Sequence, residues 1–237
     1  RVEAEGLKFG IWFEPEMISP DSDLFRAHPD WHVHVADRTP MLGRNQYVLD
    51  VSRADVRDAV WAQMEKVLSS GHIAYLKWDF NRNITDAGSA LLPPERQKEF
   101  LHRFILGTYE LMERLTTRFP EILFENCSGG GGRFDPAMLY YSPQIWCSDN
   151  TDPIERLYIQ FGTSMCYPAS TVGAHFSANE RTGYETKGNV ALWGTCGYEL
   201  DPRKLTEEEK QIVRKQVAMY HDTYDLIRDG DLYRLVS

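Results

Sequence analysis

The feature that most constrains this chain is a recurrence. Short apolar runs, each closed by a burst of polar residues, alternate with longer stretches of helical periodicity. Leu7 to Phe13 delivers Glu14-Pro15-Glu16, and Tyr47-Val48-Leu49 ends at Asp50. Ile73 to Leu76 ends in Lys77, Asp79, Asn81 and Arg82. Ile122-Leu123-Phe124 ends at Glu125-Asn126-Cys127-Ser128, and Ile145-Trp146-Cys147 delivers Ser148-Asp149-Asn150. Thr171 to Ala174 is a weaker run ending near His175, and Gly194 to Tyr198 reads as a last, poorly formed strand. Continuous apolar runs of this length are strands buried on both faces, the signature of a parallel sheet with helices between its strands. Polar groups at successive strand ends favour a barrel over an open sheet. The expected fold is an α/β (β/α)8 TIM-type barrel with six or seven βα units present. Its first strand is expected before residue 1, because Arg1 to Gly6 lacks an initiator Met and reads like the tail of a helix. Residues 1–237 are thus expected to form one catalytic barrel domain, an excerpt of a longer chain.

Helix boundaries follow from capping chemistry. Ser52-Arg53-Ala54-Asp55 predicts a capping box opening a helix whose Val56, Val60, Met64, Val67 and Leu68 share one face. A long helix is expected from Pro94 to about Phe119, stopped by Pro120. Others are expected to run to about Ser164, over Glu185–Trp193, and onward from Thr206, where three glutamates follow the cap.

Composition narrows the partners. A net charge of -9 argues against nucleic acid and anionic membrane surfaces, and suits a neutral or cationic small molecule. No apolar run reaches the roughly 20 residues of a membrane span. Cys127, Cys147, Cys166 and Cys196 lie far apart without a C-x-x-C pair, so zinc is not expected. Free thiols in a reducing, cytoplasmic compartment are expected instead. His28, His32 and His34 have no defensible ligand spacing and are expected to face solvent. No metal and no cofactor are implied, and a homo-oligomer is expected of the full-length protein.

Two carboxylates stand out. In a strand, Lys77 and Asp79 point to one side, which makes them either a structural ion pair or a functional one. In the Ser148 to Asp152 stretch, Asp152 precedes Pro153 and lies three residues before Glu155. That pattern reads as N-cap, Pro at N1 and Glu at N3, so Asp152 has a structural role and Asp149 is free for a functional one. Two acids from separate strands facing one pocket are what glycoside hydrolysis requires. Lys77 is expected to keep Asp79 ionised as the nucleophile. Burial is expected to keep Asp149 protonated as the acid. Gly129 to Gly132 lack the context of a phosphate loop and are read as allowing a ligand close to the backbone, with Cys127 and Gly129 as pocket walls. Cys127 has no histidine placed nearby in sequence to activate it as a nucleophile. Trp12 is a core filler or a sugar-stacking platform, and Arg44 a surface cation or a residue of the mouth.

These residues resemble the bacterial α-galactosidases of glycoside hydrolase family 36. The likeness is carried by Ile11-Trp12-Phe13-Glu14-Pro15-Glu16-Met17, Leu76-Lys77-Trp78-Asp79-Phe80-Asn81-Arg82, Glu125-Asn126-Cys127-Ser128-Gly129-Gly130-Gly131 and Cys147-Ser148-Asp149-Asn150-Thr151-Asp152. It continues through Thr163 to Phe176 and covers nearly all of the chain. The resemblance implies a (β/α)8 catalytic barrel hydrolysing terminal α-linked galactose from melibiose- and raffinose-type sugars with retention. It implies Asp79 as nucleophile and Asp149 as acid/base, with Trp12, Arg44, Lys77, Asn81, Cys127 and Gly129 as substrate contacts. Phe80 departs from the methionine usual there. The family's first barrel strand with its paired aspartates, its N-terminal β-sandwich and its C-terminal β domain are not in this sequence. Three other readings are an α-N-acetylgalactosaminidase, a raffinose-synthase-like galactosyl transferase and a non-catalytic sugar-binding barrel.

Overall fold

The computed structural model describes residues 1–177 and 181–235, which fall into two compact units, Arg1–Ser128 and Gly129–Ser237. In the first, β1 (Phe9–Phe13), β4 (Ile73–Asp79) and β5 (Leu123–Cys127) form parallel pairs with β4 in the middle. Between β1 and β4 come β2 (Met17–Ile18), α1 (Asp23–Ala27), β3 (Tyr47–Val48) and α2 (Ala54–Leu68). A 3-10 turn, Pro94–Glu99, leads into α3 (Phe100–Arg118), which returns the chain to β5.

Alternation along these strands sorts the side chains. Leu76, Trp78 and Phe124 are buried with Val56, Val60 and Met64 of α2 and Phe104, Leu111 and Leu115 of α3, which forms the core. Glu16 lies fully buried beneath it, accepting from the Trp78 indole at 2.7 Å and the Thr108 hydroxyl at 3.1 Å. A buried carboxylate needs such donors to offset its lost hydration. Here they tie the segment after β1 to β4 and α3.

Three expectations need correction. Tyr47-Val48-Leu49 is not a strand of the parallel sheet: Val48 pairs antiparallel with Met17, and Tyr47 with Ile18. The Val48 carbonyl accepts from the Val33 amide and the Leu49 amide donates to the Glu16 carbonyl, both at 2.8 Å, which ties this segment to the loops around it. The expected capping box at Ser52 is absent, because the Ser52 hydroxyl donates to Asp50 while Arg53 forks onto Asp55 at 3.1 and 2.8 Å. The helix starts at Ala54 without a side-chain cap. His32 is buried rather than solvent-facing, stacked on His34 and packed near Tyr47.

In the second unit β6 (Gln144–Trp146), β7 (Val172–Ser177) and β8 (Thr195–Glu199) are again parallel, with β7 in the middle. The helices are α4 (Pro136–Tyr141), α5 (Pro153–Thr163), α6 (Tyr184–Ala191) and α7 (Glu207–Asp229). The Asp152 carboxylate accepts from the Ile154 and Glu155 amides at 2.9 and 3.1 Å with Pro153 at N1, as the sequence predicts. The same signal, Asp135 before Pro136, opens α4, a helix absent from the sequence reading. Thr206 and Glu209 close a reciprocal capping box at the start of α7.

Candidate active site

In the first unit the polar groups gather at the C-terminal ends of the parallel strands. Cross-strand register pairs Trp12 with Lys77, Lys77 with Glu125, and Asp79 with Cys127. Neighbours in register point to one face, so these five side chains share a surface opposite the apolar core. The Lys77 ammonium lies 3.1 Å from the fully buried Glu125, whose other oxygen accepts from the Tyr75 hydroxyl.

Asp79 is 6% exposed, and burial pushes its pKa up. Hydrogen bonds from the Cys127 thiol, Asn81, the Trp12 indole and the Phe80 amide outweigh burial and hold it below the ordinary carboxylate range. Asn81 Nδ2 sits at 2.6 Å, Phe80 N at 2.9 Å and Trp12 Nε1 at 3.1 Å. This corrects the physical cause anticipated from sequence, where Lys77 was to keep Asp79 ionised. Neutral donors do that work, and the Lys77 cation pairs with Glu125.

Glu14, at the end of β1, accepts from Asn81 at 2.9 Å and from Arg44 at 3.0 Å. It thereby links Asp79's donor to a cation from a distant loop. Arg44 and Asn45 both have positive φ, 52° and 58°, within a turn closed by reciprocal bonds between Gly43 and Gln46. That geometry suits the right-handed twist of a tight hairpin but is unfavourable for a side chain as large as arginine. Arg82 holds the turn, donating to the carbonyls of Met41 and Gln46 at 2.7 and 2.8 Å. Arg44 is thus an anchored cation at a turn tip. Trp12 is 48% exposed with its N–H on Asp79, which excludes the core-filler reading.

In the second unit Asp149 follows β6 and accepts from the Trp146 indole at 3.0 Å. Its side chain is exposed, so the burial expected to protonate it is not found. Asp152 is held below the ordinary range: desolvation raises it, and the Glu155 and Ile154 amides with Arg181 together outweigh that. A carboxyl stabilised as its anion is a poor proton donor, which agrees with its capping role.

The glycine run serves the chain's own packing. A Cβ on Gly131 would lie 2.6 Å from the Cys147 carbonyl, and one on Gly130, where φ is 86°, 2.9 Å from the Asp149 amide. These two residues let the loop lie directly against the strand end that carries Asp149. At Gly129 (φ 53°) a Cβ would meet nothing within 4 Å, so packing does not account for that glycine, and its left-handed backbone does. Gly131→Ala is expected to destabilise the full-length protein by about 1–3 kcal/mol, the usual cost of overpacking. Thermal denaturation checks this, and an unchanged Tm contradicts it.

All four cysteines are free thiols. Among the described residues, no cluster of three or more His, Cys, Asp or Glu is arranged to hold a metal ion, and no helix is long and apolar enough to cross a membrane. Sequence reasoning overlooked Glu14, Tyr75, Glu125, Trp146 and Arg156 as parts of these clusters. Glu14 and Glu125 carried a signal, each as the first polar residue after an apolar run.

The family model described as Melibiase matches residues 1–230. The chain belongs to the melibiase family. It is 56% identical to α-galactosidase AgaA of Geobacillus stearothermophilus over 100% of this chain and 33% of that protein. It is 54% identical to α-galactosidase 1 of Pediococcus pentosaceus, with the same coverage. The crystal structure of an AgaA variant in complex with raffinose superposes with a TM-score of 0.97 at 55% identity, covering 100% of this chain and 34% of that one. This melibiase chain therefore spans about a third of the length of the curated relatives it matches.

Proposed function

We propose that this melibiase chain is the catalytic part of a retaining α-galactosidase, within a closed (β/α)8 barrel, that releases terminal α-linked galactose from melibiose- and raffinose-type oligosaccharides. The observation that carries the reading is Asp79, a strand-end carboxylate held ionised by the Trp12, Phe80, Asn81 and Cys127 donors. The names of the relatives, and the raffinose bound to one of them, support the substrate class.

Asp79 attacks the anomeric carbon from the face opposite the leaving group, forming a β-galactosyl ester as the glycosidic bond breaks. Asp149 gives its proton to the departing oxygen. It then takes a proton from water, whose oxygen attacks the same carbon and displaces Asp79, returning the α-anomer. Trp12, Arg44, Lys77, Asn81, Cys127 and Gly129 contact the sugar in this reading. The Trp12 ring supplies an apolar platform, and Lys77 and Arg44 supply donors for hydroxyl groups. Four free thiols support a reducing, cytoplasmic setting.

The test is proton NMR of melibiose hydrolysis by the full-length protein. α-Galactose appearing first is expected, and β-galactose appearing first overturns the double displacement. Turnover of nitrophenyl α-galactoside without turnover of its N-acetyl analogue, and no oligosaccharide gain with sucrose as acceptor, are expected of the hydrolase.

Trp12→Phe probes the electrostatics. Removing a donor to the anion raises the pKa of Asp79, so activity that needs the carboxylate is lost sooner as pH falls. The acid limb of kcat/KM is expected at higher pH, with a loss of about tenfold near neutrality, typical of one hydrogen bond to a charged group. An acid limb that stays in place contradicts this.

A further inference from the structure

Arg156, in the first turn of α5, is 2% exposed, an unusual place for a cation. All three of its guanidinium nitrogens donate hydrogen bonds. Nε donates to the Asn150 carbonyl at 2.7 Å and Nη2 to the Ser148 carbonyl at 2.5 Å. Nη1 donates to the Gly173 carbonyl at 3.0 Å and to Cys147 Sγ at 2.9 Å. The group also lies 4.3 Å from the centre of the Trp146 ring. The residues before and after Asp149 are therefore anchored to one planar group, and that group lies over the ring of the tryptophan whose N–H donates to Asp149. Gly173 sits on β7, so the fork also ties the loop to the neighbouring strand.

We propose that Arg156 is the positioning residue of Asp149. With carbonyls held on both sides, the loop delivers its carboxylate to one place, and the Trp146 N–H fixes the orientation of the exposed side chain. This rests on the assignment of Asp149 as acid/base. The geometry demands arginine. Lysine has one nitrogen and no planar fork, so it cannot reach three carbonyls and a sulfur at once. Charge is retained in Arg156→Lys, and the fork is lost.

The experiment compares kcat/KM for melibiose, whose leaving group needs a proton, with that for an activated aryl α-galactoside, whose leaving group does not. The variants are Arg156→Lys, Asp149→Ala and the double variant, in the full-length protein with folding verified by thermal melts. Arg156→Lys is expected to lose about 100-fold on melibiose, the scale of a misplaced catalytic group, and about threefold or less on the aryl substrate. In the Asp149→Ala background, adding Arg156→Lys is expected to change neither value further, because no acid remains to be positioned. Equal losses on both substrates, or losses that multiply in the double variant, overturn the inference and leave Arg156 as a fold-supporting residue. Should Arg156→Lys fail to fold, Trp146→Phe carries the test, since it keeps an aromatic ring beside Arg156 and removes the donor to Asp149. A selective loss of about tenfold on melibiose is expected there, and an equal loss on both substrates overturns the inference. If Asp149→Ala itself fails to discriminate the two substrates, the acid assignment falls and the inference falls with it.

Discussion

Asp79→Ala in the full-length protein is expected to lower turnover by at least about 10⁴-fold, the scale on which loss of a covalent nucleophile removes catalysis. The carboxylate accepts from four separate donors, an arrangement that keeps it anionic and aimed while it waits for substrate. Alanine leaves space where the carboxylate stood, and a small anion can enter it. Azide should therefore partly restore product formation, attacking from the side Asp79 occupied and giving β-galactosyl azide. A variant within tenfold of the wild type, or rescue giving the α-azide, removes Asp79 from the nucleophile's position. Asp79→Asn is the sharper control against misfolding, since it keeps the shape and loses only the charge.

Asp149→Ala is expected to cripple melibiose hydrolysis, lowering kcat/KM by about 10²–10⁴-fold, the usual contribution of a general acid. The same change should cost far less in kcat/KM with an activated aryl galactoside, whose leaving group departs unaided. Breakdown of the galactosyl ester also loses its base, so kcat on the aryl substrate should fall and recover with azide. Here azide attacks the ester from the opposite face and gives the α-azide. The two anomeric azides thus separate the two acids chemically. Asp152→Ala should instead remove the cap of α5, lowering Tm by a few degrees with the leaving-group dependence intact. The reverse pattern, with Asp152→Ala sensitive to the leaving group and Asp149→Ala merely less stable, assigns the acid to Asp152.

Most of the element order was legible from residue pattern, because it depends on local rules. Short apolar runs of three to seven residues ending in polar bursts became β1, β4, β5 and β6. The Asp152-Pro153 and Thr206 starts of α5 and α7 are bonds between residues three apart in the chain. Asp79 as the last residue of β4 and Asp149 just past β6 were readable for the same reason, since the end of an apolar run is visible in the sequence.

What failed were inferences that needed long-range partners. Tyr47–Val48 has the composition of a sheet strand, but its partner Met17–Ile18 runs antiparallel to it, and nothing local records that choice. Ser52 has the spacing of a cap, yet its hydroxyl is taken by the buried Asp50, whose desolvated carboxyl needs it more than a helix end open to water does. Lys77 lies two residues from Asp79, but its cation meets Glu125, 48 positions away, because register sets that carboxylate directly beside it. By itself the sequence determined which residues reach the strand ends. Tertiary structure decided which of them hold a charge in place, because a hydrogen bond acts over about 3 Å of space whatever the separation along the chain.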